Sequence, residues 1–261
     1  MKEFFGYSVP GGGYLRAPSG AYSWQHLVFV TSFVLVMIGL AIWLGLRNKN
    51  KDDKTKNKVL IWSAILIDSV EIIKIIVMCT RSDDPMTWTR VLPLFLCSIQ
   101  LIALPIAAFS KGRLKEAAID FVFIFGILGA LTGTYGAAQN YGCYPVLSMD
   151  NVASAITHCI SGFASLYIGI SKMTSMKMKN MWITFCILFG FCALAYIANV
   201  TIPYNYMFLM RGDGTPYDIF YNMVNGNPVL YPIIVILLFV IYASIFYLTY
   251  YLVGKKKAKN A

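Results

Sequence analysis

The chain of 261 residues is 58% hydrophobic and 13% charged, with a mean hydropathy of +0.63. That composition excludes an ordinary soluble domain and fits one helical membrane domain. The formal net charge of +10 does not mark a nucleic-acid binder, because the lysines and arginines stand in short clusters between apolar runs rather than along one face.

Seven apolar runs are long enough to cross about 30 Å of hydrocarbon at 1.5 Å per residue. They predict an all-α, polytopic transmembrane bundle forming a single domain over 1–261, with spans near 25–46, 59–79, 91–110, 117–138, 152–171, 181–200 and 228–253. The first run is too long and too late to be a cleaved signal segment. Sixteen basic residues fall in alternate connections and the tail: Arg47 to Lys58, Lys111 to Lys115, Lys172 to Lys179, and Lys255 to Lys259. Only Lys2, Arg16, Arg81, Arg90 and Arg211 lie on the other side. The asymmetry places the N-terminus outside and the C-terminus in the cytoplasm of a cell-membrane protein.

Span one opens at Trp24-Gln25-His26, an interfacial anchor followed by a histidine expected at the surface near the outer mouth. Span two carries Asp68, Glu71 and Lys74 at i, i+3 and i+6 within an apolar helix. Glu71 and Lys74 can neutralise each other, yet two carboxylates on one face also call for a polar neighbour inside the bundle. Span three holds Cys97 six residues from its outer start, with Gln100 one turn deeper and a kink expected at Pro105. Span four bears Gly126, Gly129, Gly133 and Gly136, a stripe read first as close helix packing. Asp120, near its cytoplasmic end, is expected in solvent. Span five places His158 six residues inward, on a face shared with Gly162, Ser165 and Gly169, so the imidazole is expected to point into the bundle. Span six ends with Cys192, Tyr196 and Asn199 on one face, and a long outer loop follows.

Depth brings these groups together. Cys97 and His158 both fall roughly 9 Å below the outer surface and Glu71 roughly 13 Å, with Asn199 and His26 near the mouth. A thiol nucleophile needs a base, and the base needs an orienting partner; Cys97, His158, and Glu71 or Asn199 supply those parts. At the depth of phospholipid ester carbonyls, the chemistry would be acyl transfer, with Cys97 carrying the acyl chain as a thioester and His158 acting as base and then acid.

The segments Tyr22-Ser23-Trp24-Gln25-His26-Leu27, the Glu71 helix, Leu92-Pro93-Leu94-Phe95-Leu96-Cys97, His158 and Asn205-Tyr206-Met207-Phe208-Leu209 together resemble the YwaF-type bacterial membrane proteins over most of the chain. That group resembles in turn the transmembrane protein 164 family. The resemblance implies a phospholipid acyltransferase whose membrane Cys and His would be Cys97 and His158, with Asn205 and Tyr206 matching the outer Asn-Tyr signature. One departure is clear: the family pattern reads Leu-Pro-Leu-His-Leu-Cys, and Phe95 stands here in place of that histidine.

The expected ligand is membrane phospholipid, with no nucleic acid, no cofactor and no metal, since two His and scattered Cys form no metal-binding spacing. Cys79 and Cys143 share the outer side, where a disulfide is one option. The alternative function is a transporter or solute-binding protein in which Asp68, Glu71 and Lys74 line a path.

Overall fold

Apolar runs of about twenty residues leave a helix little choice, because only intrahelical bonding satisfies the backbone away from water. The computed structural model describes residues 1–259, with side chains as far as Lys255, so Lys256, Lys257 and Lys259 of the basic tail lie outside the described side chains. It is all-helical apart from loops and one isolated bridge. The main helices are α1 (Trp24–Asn48), α2 (Asp53–Arg81), α3 (Gln100–Phe109), α4 (Gly112–Thr134), α5 (Met149–Ile170), α6 (Met181–Thr201) and α7 (Leu230–Lys259).

Among the described residues, five segments are long and apolar enough to span a membrane: those built on α1, α4, α5, α6 and α7. The protein is therefore a multi-pass, integral membrane helical bundle. Two of the expected spans differ. The 29-residue α2 is long enough but carries Asp68, Glu71 and Lys74 along its middle. The expected span 91–110 is helical only from Cys97 onward, and α3 proper is 10 residues, about 15 Å long. Pro105 sits inside it.

Short connections such as Lys49 to Asp52 and Ser110 to Lys111 force neighbouring helices to run antiparallel. α5 lies at the centre, packed on α1, α2 and, most extensively, α4. The core uses small residues at the crossings, among them Ala103, Ala107, Ala117, Ala118 and Ala164, all fully buried. Phe121, Phe125, Tyr167 and Tyr247 fill the space between the crossings, while other large apolar side chains face outward, such as Leu35, Trp43, Ile233, Leu237, Ile241 and Ile245. A bundle solvated by hydrocarbon has this arrangement, since lipid tails are as apolar as leucine and close packing holds the helices together.

At the end where α1, α4 and α6 meet their following or preceding basic loops, Asp120 is fully buried rather than solvated. Its carboxylate accepts from the Thr174 hydroxyl (2.8 Å) and from the Ser175 and Met176 amides (3.0 Å each). It therefore pins the α5–α6 connection, and a buried carboxylate needs such donors. At the opposite end residues 1–22 fold over the bundle. Arg81, the last residue of α2, makes a two-pronged ion pair with Asp150 at the start of α5, both contacts 2.7 Å. Arg81 also donates to the Phe5 carbonyl (3.2 Å) and the Tyr14 hydroxyl (2.9 Å), while Tyr14 donates to Asp150.

Candidate active site

The site begins where a helix fails to form. Val91 to Leu96 are irregular, and Cys97 opens a single 3-10 turn that runs into α3. Cys97 is thus in a first turn, not six residues inside a helix as the apolar run implies. Pro93 has no amide to donate and disfavours the helical state of Leu92, and tertiary contacts hold the irregular path. The Tyr206 hydroxyl donates to the Thr89 carbonyl and accepts from the Leu92 amide (3.2 Å). Asn199 in turn grips the Tyr206 backbone from both sides, Nδ2 to the carbonyl (2.9 Å) and Oδ1 from the amide (2.6 Å). Phe95 rests on the rings of Tyr206, Phe208 and Tyr204 at 5.3, 5.9 and 6.2 Å. Asn205 ties the loop that follows, donating to the Arg211 carbonyl (2.7 Å) and Asp213 (2.8 Å).

Below that segment lies a cavity of about 40 Å3 between α2, α3 and α5, room for roughly one water-sized group. α2 supplies Ile67, Glu71 and Lys74; the turn and α3 supply Cys97, Ser98 and Leu101; α5 supplies Thr157 and His158. Cys97 and His158 are deep in the protein but keep accessible surface, which is their share of this cavity.

His158 is held in one tautomer. Its Nδ1 lies 2.7 Å from the Ser154 carbonyl one turn earlier on α5, and because a carbonyl only accepts, Nδ1 carries the proton of the neutral ring. Nε2 keeps the lone pair. Cys97 and His158 line the same small cavity, so a thiol and an imidazole whose Nδ1 is already engaged share one space.

One glycine of α4, Gly133, makes room for the imidazole. A Cβ at Gly133 would overlap the His158 ring, one at Gly129 would touch Cys97 Cα and Cβ (3.5 Å each), and one at Gly126 would press on the Ser161 carbonyl (2.7 Å). The stripe does serve close packing of α4 on α5, and at Gly133 what packs there is the site histidine. Gly136 is apart, meeting only its own helix at Thr132.

Glu71 and Lys74 pair across one helical turn, Nζ standing 2.6 and 2.7 Å from the two carboxylate oxygens. Glu71 is therefore occupied by Lys74, and the orienting role on His158 falls to the Ser154 backbone.

The model of the TMEM164 family matches residues 21–255, a stretch that contains every helix from α1 to α6 and both Cys97 and His158. The chain belongs to the TMEM164 family. No curated protein and no solved structure matches it.

In this TMEM164 family member the eight sequence-selected residues separate into groups. Cys97, His158 and Glu71 line the cavity. Asn199, Asn205 and Tyr206 instead hold the loop and the irregular segment that deliver Cys97. Gln100 is fully buried on α3, and neither atom of its amide has a partner in the protein. His26 belongs to neither group and is not at the surface. It is fully buried, takes the Tyr22 amide on Nδ1 (3.0 Å), donates from Nε2 to the Thr134 carbonyl (3.1 Å) and stacks on Tyr141 at 3.7 Å. Both nitrogens are used, which makes it a structural histidine.

Phe95, in the position where the family pattern has histidine, points into an aromatic cluster and not into the cavity. Cys79 and Cys143 are unpaired. Among the described residues no group of three His, Cys, Asp or Glu is placed to hold a metal ion. Sequence reasoning passed over Ser98, Thr157 and Lys74 as companions of Cys97, and over the Arg81–Asp150 pair. Lys74 alone had a usable signal, its i+3 relation to Glu71.

Proposed function

We propose that this TMEM164 family protein moves or removes a lipid acyl chain through a thioester on Cys97. The observation that carries the reading is the shared cavity of Cys97 and His158 inside a membrane bundle, with His158 Nδ1–H on the Ser154 carbonyl and Nε2 left as the basic nitrogen.

In the first half-reaction the thiol proton passes to His158 Nε2 as sulfur bonds to the ester carbonyl carbon. The ester C–O bond then breaks, and the departing alcohol oxygen takes that proton from the imidazolium. An acyl-Cys97 and a lysolipid result. In the second half an acceptor hydroxyl or water repeats the sequence, and the free thiol returns.

Within the same reading the chain has seven spans, with α2 and the short α3 completing those long and apolar enough by themselves. The N-terminus is outside the cell membrane and the C-terminus in the cytoplasm, following the sixteen-to-five division of basic residues. The site then lies toward the outer leaflet, where phospholipid carbonyls reside. The YwaF-type branch is the subgroup that the Leu92 to Cys97 and Asn205 to Leu209 segments favour. A transport role has less support, because Glu71 and Lys74 neutralise each other and the cavity they line admits about one water.

The test is covalent capture. Protein incubated with phospholipid bearing an alkyne-tagged acyl chain should acquire a hydroxylamine-labile label, absent from Cys97→Ala and strongly reduced in His158→Ala. Label retained by Cys97→Ala, or missing from the wild type across several phospholipid classes, overturns the proposal.

A further inference from the structure

The cavity holds one cation, and its neighbours leave it a specific task. We infer that Lys74 is a catalytic residue: its ammonium receives the oxyanion formed when the Cys97 sulfur adds to an acyl carbonyl. This rests on the acyl-transfer reading above.

The argument is by the state of each polar wall. In a space of about 40 Å3, a carbonyl carbon within bonding reach of Cys97 must direct its oxygen at one of the remaining lining groups. His158 Nε2 takes the thiol proton and Nδ1 is held by Ser154. The Thr157 hydroxyl gives its proton to the Ser154 carbonyl at 3.0 Å. The Ser98 amide is bonded to the Phe95 carbonyl at 2.9 Å, and its hydroxyl is a neutral donor, weaker toward an oxyanion than a charged one. Glu71 is an anion and would repel the developing charge. Lys74 is the charged donor on the wall, with three N–H bonds and only the two oxygens of one carboxylate engaged.

Its partner explains how it stays in place. A half-buried lysine in an apolar span has a long, mobile stem and a strong preference for water. Glu71 fixes the ammonium at 2.6 and 2.7 Å and keeps it aimed into the cavity, so the donor is oriented before charge appears. A buried ion pair contributes little to stability that well-packed neutral groups would not. Glu71 is on this account a positioning residue.

The electron flow closes. The thiol proton goes to Nε2, the sulfur pair forms the S–C bond, and the carbonyl π pair moves to oxygen beside Lys74. That pair then re-forms the carbonyl, the alkoxide leaves with the proton from His158, and Lys74 is unchanged.

The experiment uses full-length protein in phosphatidylcholine nanodiscs and two probes. A 4-nitrophenyl fatty ester reports Cys97 acylation through the nitrophenolate burst, whereas iodoacetamide alkylation reports the thiolate without any oxyanion. The variant is Glu71→Gln/Lys74→Met, which removes the pair with no change of net charge and little change of shape. Acylation should fall about 100- to 1000-fold, the loss typical of one oxyanion donor, while alkylation stays within about twofold of wild type. Glu71→Gln alone, which keeps the ammonium, should lose less. Wild-type acylation in the double variant overturns the role, and so does a parallel fall in alkylation, which would assign Lys74 to thiolate stabilisation. Failure of the wild type to acylate while alkylating normally overturns the acyl-transfer reading itself, a result distinct from the other two.

Discussion

The imidazole of His158 occupies the space that any side chain at Gly133 would need, the ring edge lying over the bare Cα of α4. The absence of a Cβ at one position on α4 therefore sets where the base on α5 stands. Gly133→Ala should push the ring off the Cys97 thiol, and displacement of a catalytic group by about 1 Å costs on the order of 100-fold in rate. Cys97 acylation measured by the nitrophenolate burst should show that loss, with about 1–3 kcal/mol of destabilisation from overpacking. Gly39→Ala is the control. Nothing lies within 4 Å of a Cβ there, so the change should leave acylation intact and stiffen α1 slightly.

Tyr206 acts on the nucleophile from further away. Its hydroxyl joins the Thr89 carbonyl to the Leu92 amide and so keeps the segment before Cys97 from collapsing into helix. Tyr206→Phe leaves a buried carbonyl and amide without that partner, a cost of about 1–3 kcal/mol. With the segment loosened, iodoacetamide should reach Cys97 faster while acylation slows, and opposite movements of the two rates check the positioning role. Equal changes in both would refute it.

How far the amino-acid sequence carries can be seen at the same residues. Run 181–200 became Met181–Thr201 because some twenty apolar residues in lipid admit nothing but helix. Run 91–110 did not, since apolar content does not distinguish a helix from an irregular segment that other elements satisfy. Pro93 was a local warning, but the decisive partner, Tyr206, is 114 residues from Leu92. Cys97 and His158 stood out as polar groups at matching positions in their runs. What orients the histidine is a backbone carbonyl, which no residue pattern encodes, and the room for its ring comes from the lack of a side chain at Gly133. Glu71 found its partner one turn along its own helix, the single pairing at the site that spacing exposes.

The Arg81–Asp150 pair ties the end of α2 to the start of α5, the two helices that carry Lys74 and His158 about two turns further inward. The side chains are 8% and 4% exposed, so solvent screens the pair little. Arg81→Ala should destabilise the protein by about 3–5 kcal/mol, because Asp150 is left buried and charged. Arg81→Met/Asp150→Leu should recover most of that loss, since neither charge remains. Thermal unfolding in detergent distinguishes the two; a double variant as unstable as the single would show that the pair is irreplaceable for reasons beyond its charges.

The same cluster should make stability fall at alkaline pH. Burial, followed by the hydrogen bond to Asp150 and the charge of that carboxylate, raises the Tyr14 phenol from its ordinary 10.0 to about 12. The folded state thus favours protonated Tyr14, whose hydroxyl proton bridges to Asp150. For a group raised in this way the contribution is fully present below pH 10, and it is lost as pH climbs from 10 to 12, where the unfolded chain releases the proton more readily. Other tyrosines and the lysines titrate in the same window, so the comparison must be with Tyr14→Phe, which has no proton to lose. The melting temperature of wild type should drop toward that of Tyr14→Phe between pH 10 and 12, with a constant gap below pH 9. A gap that does not narrow would mean that the Tyr14 proton is not what links residues 1–22 to the Arg81–Asp150 pair.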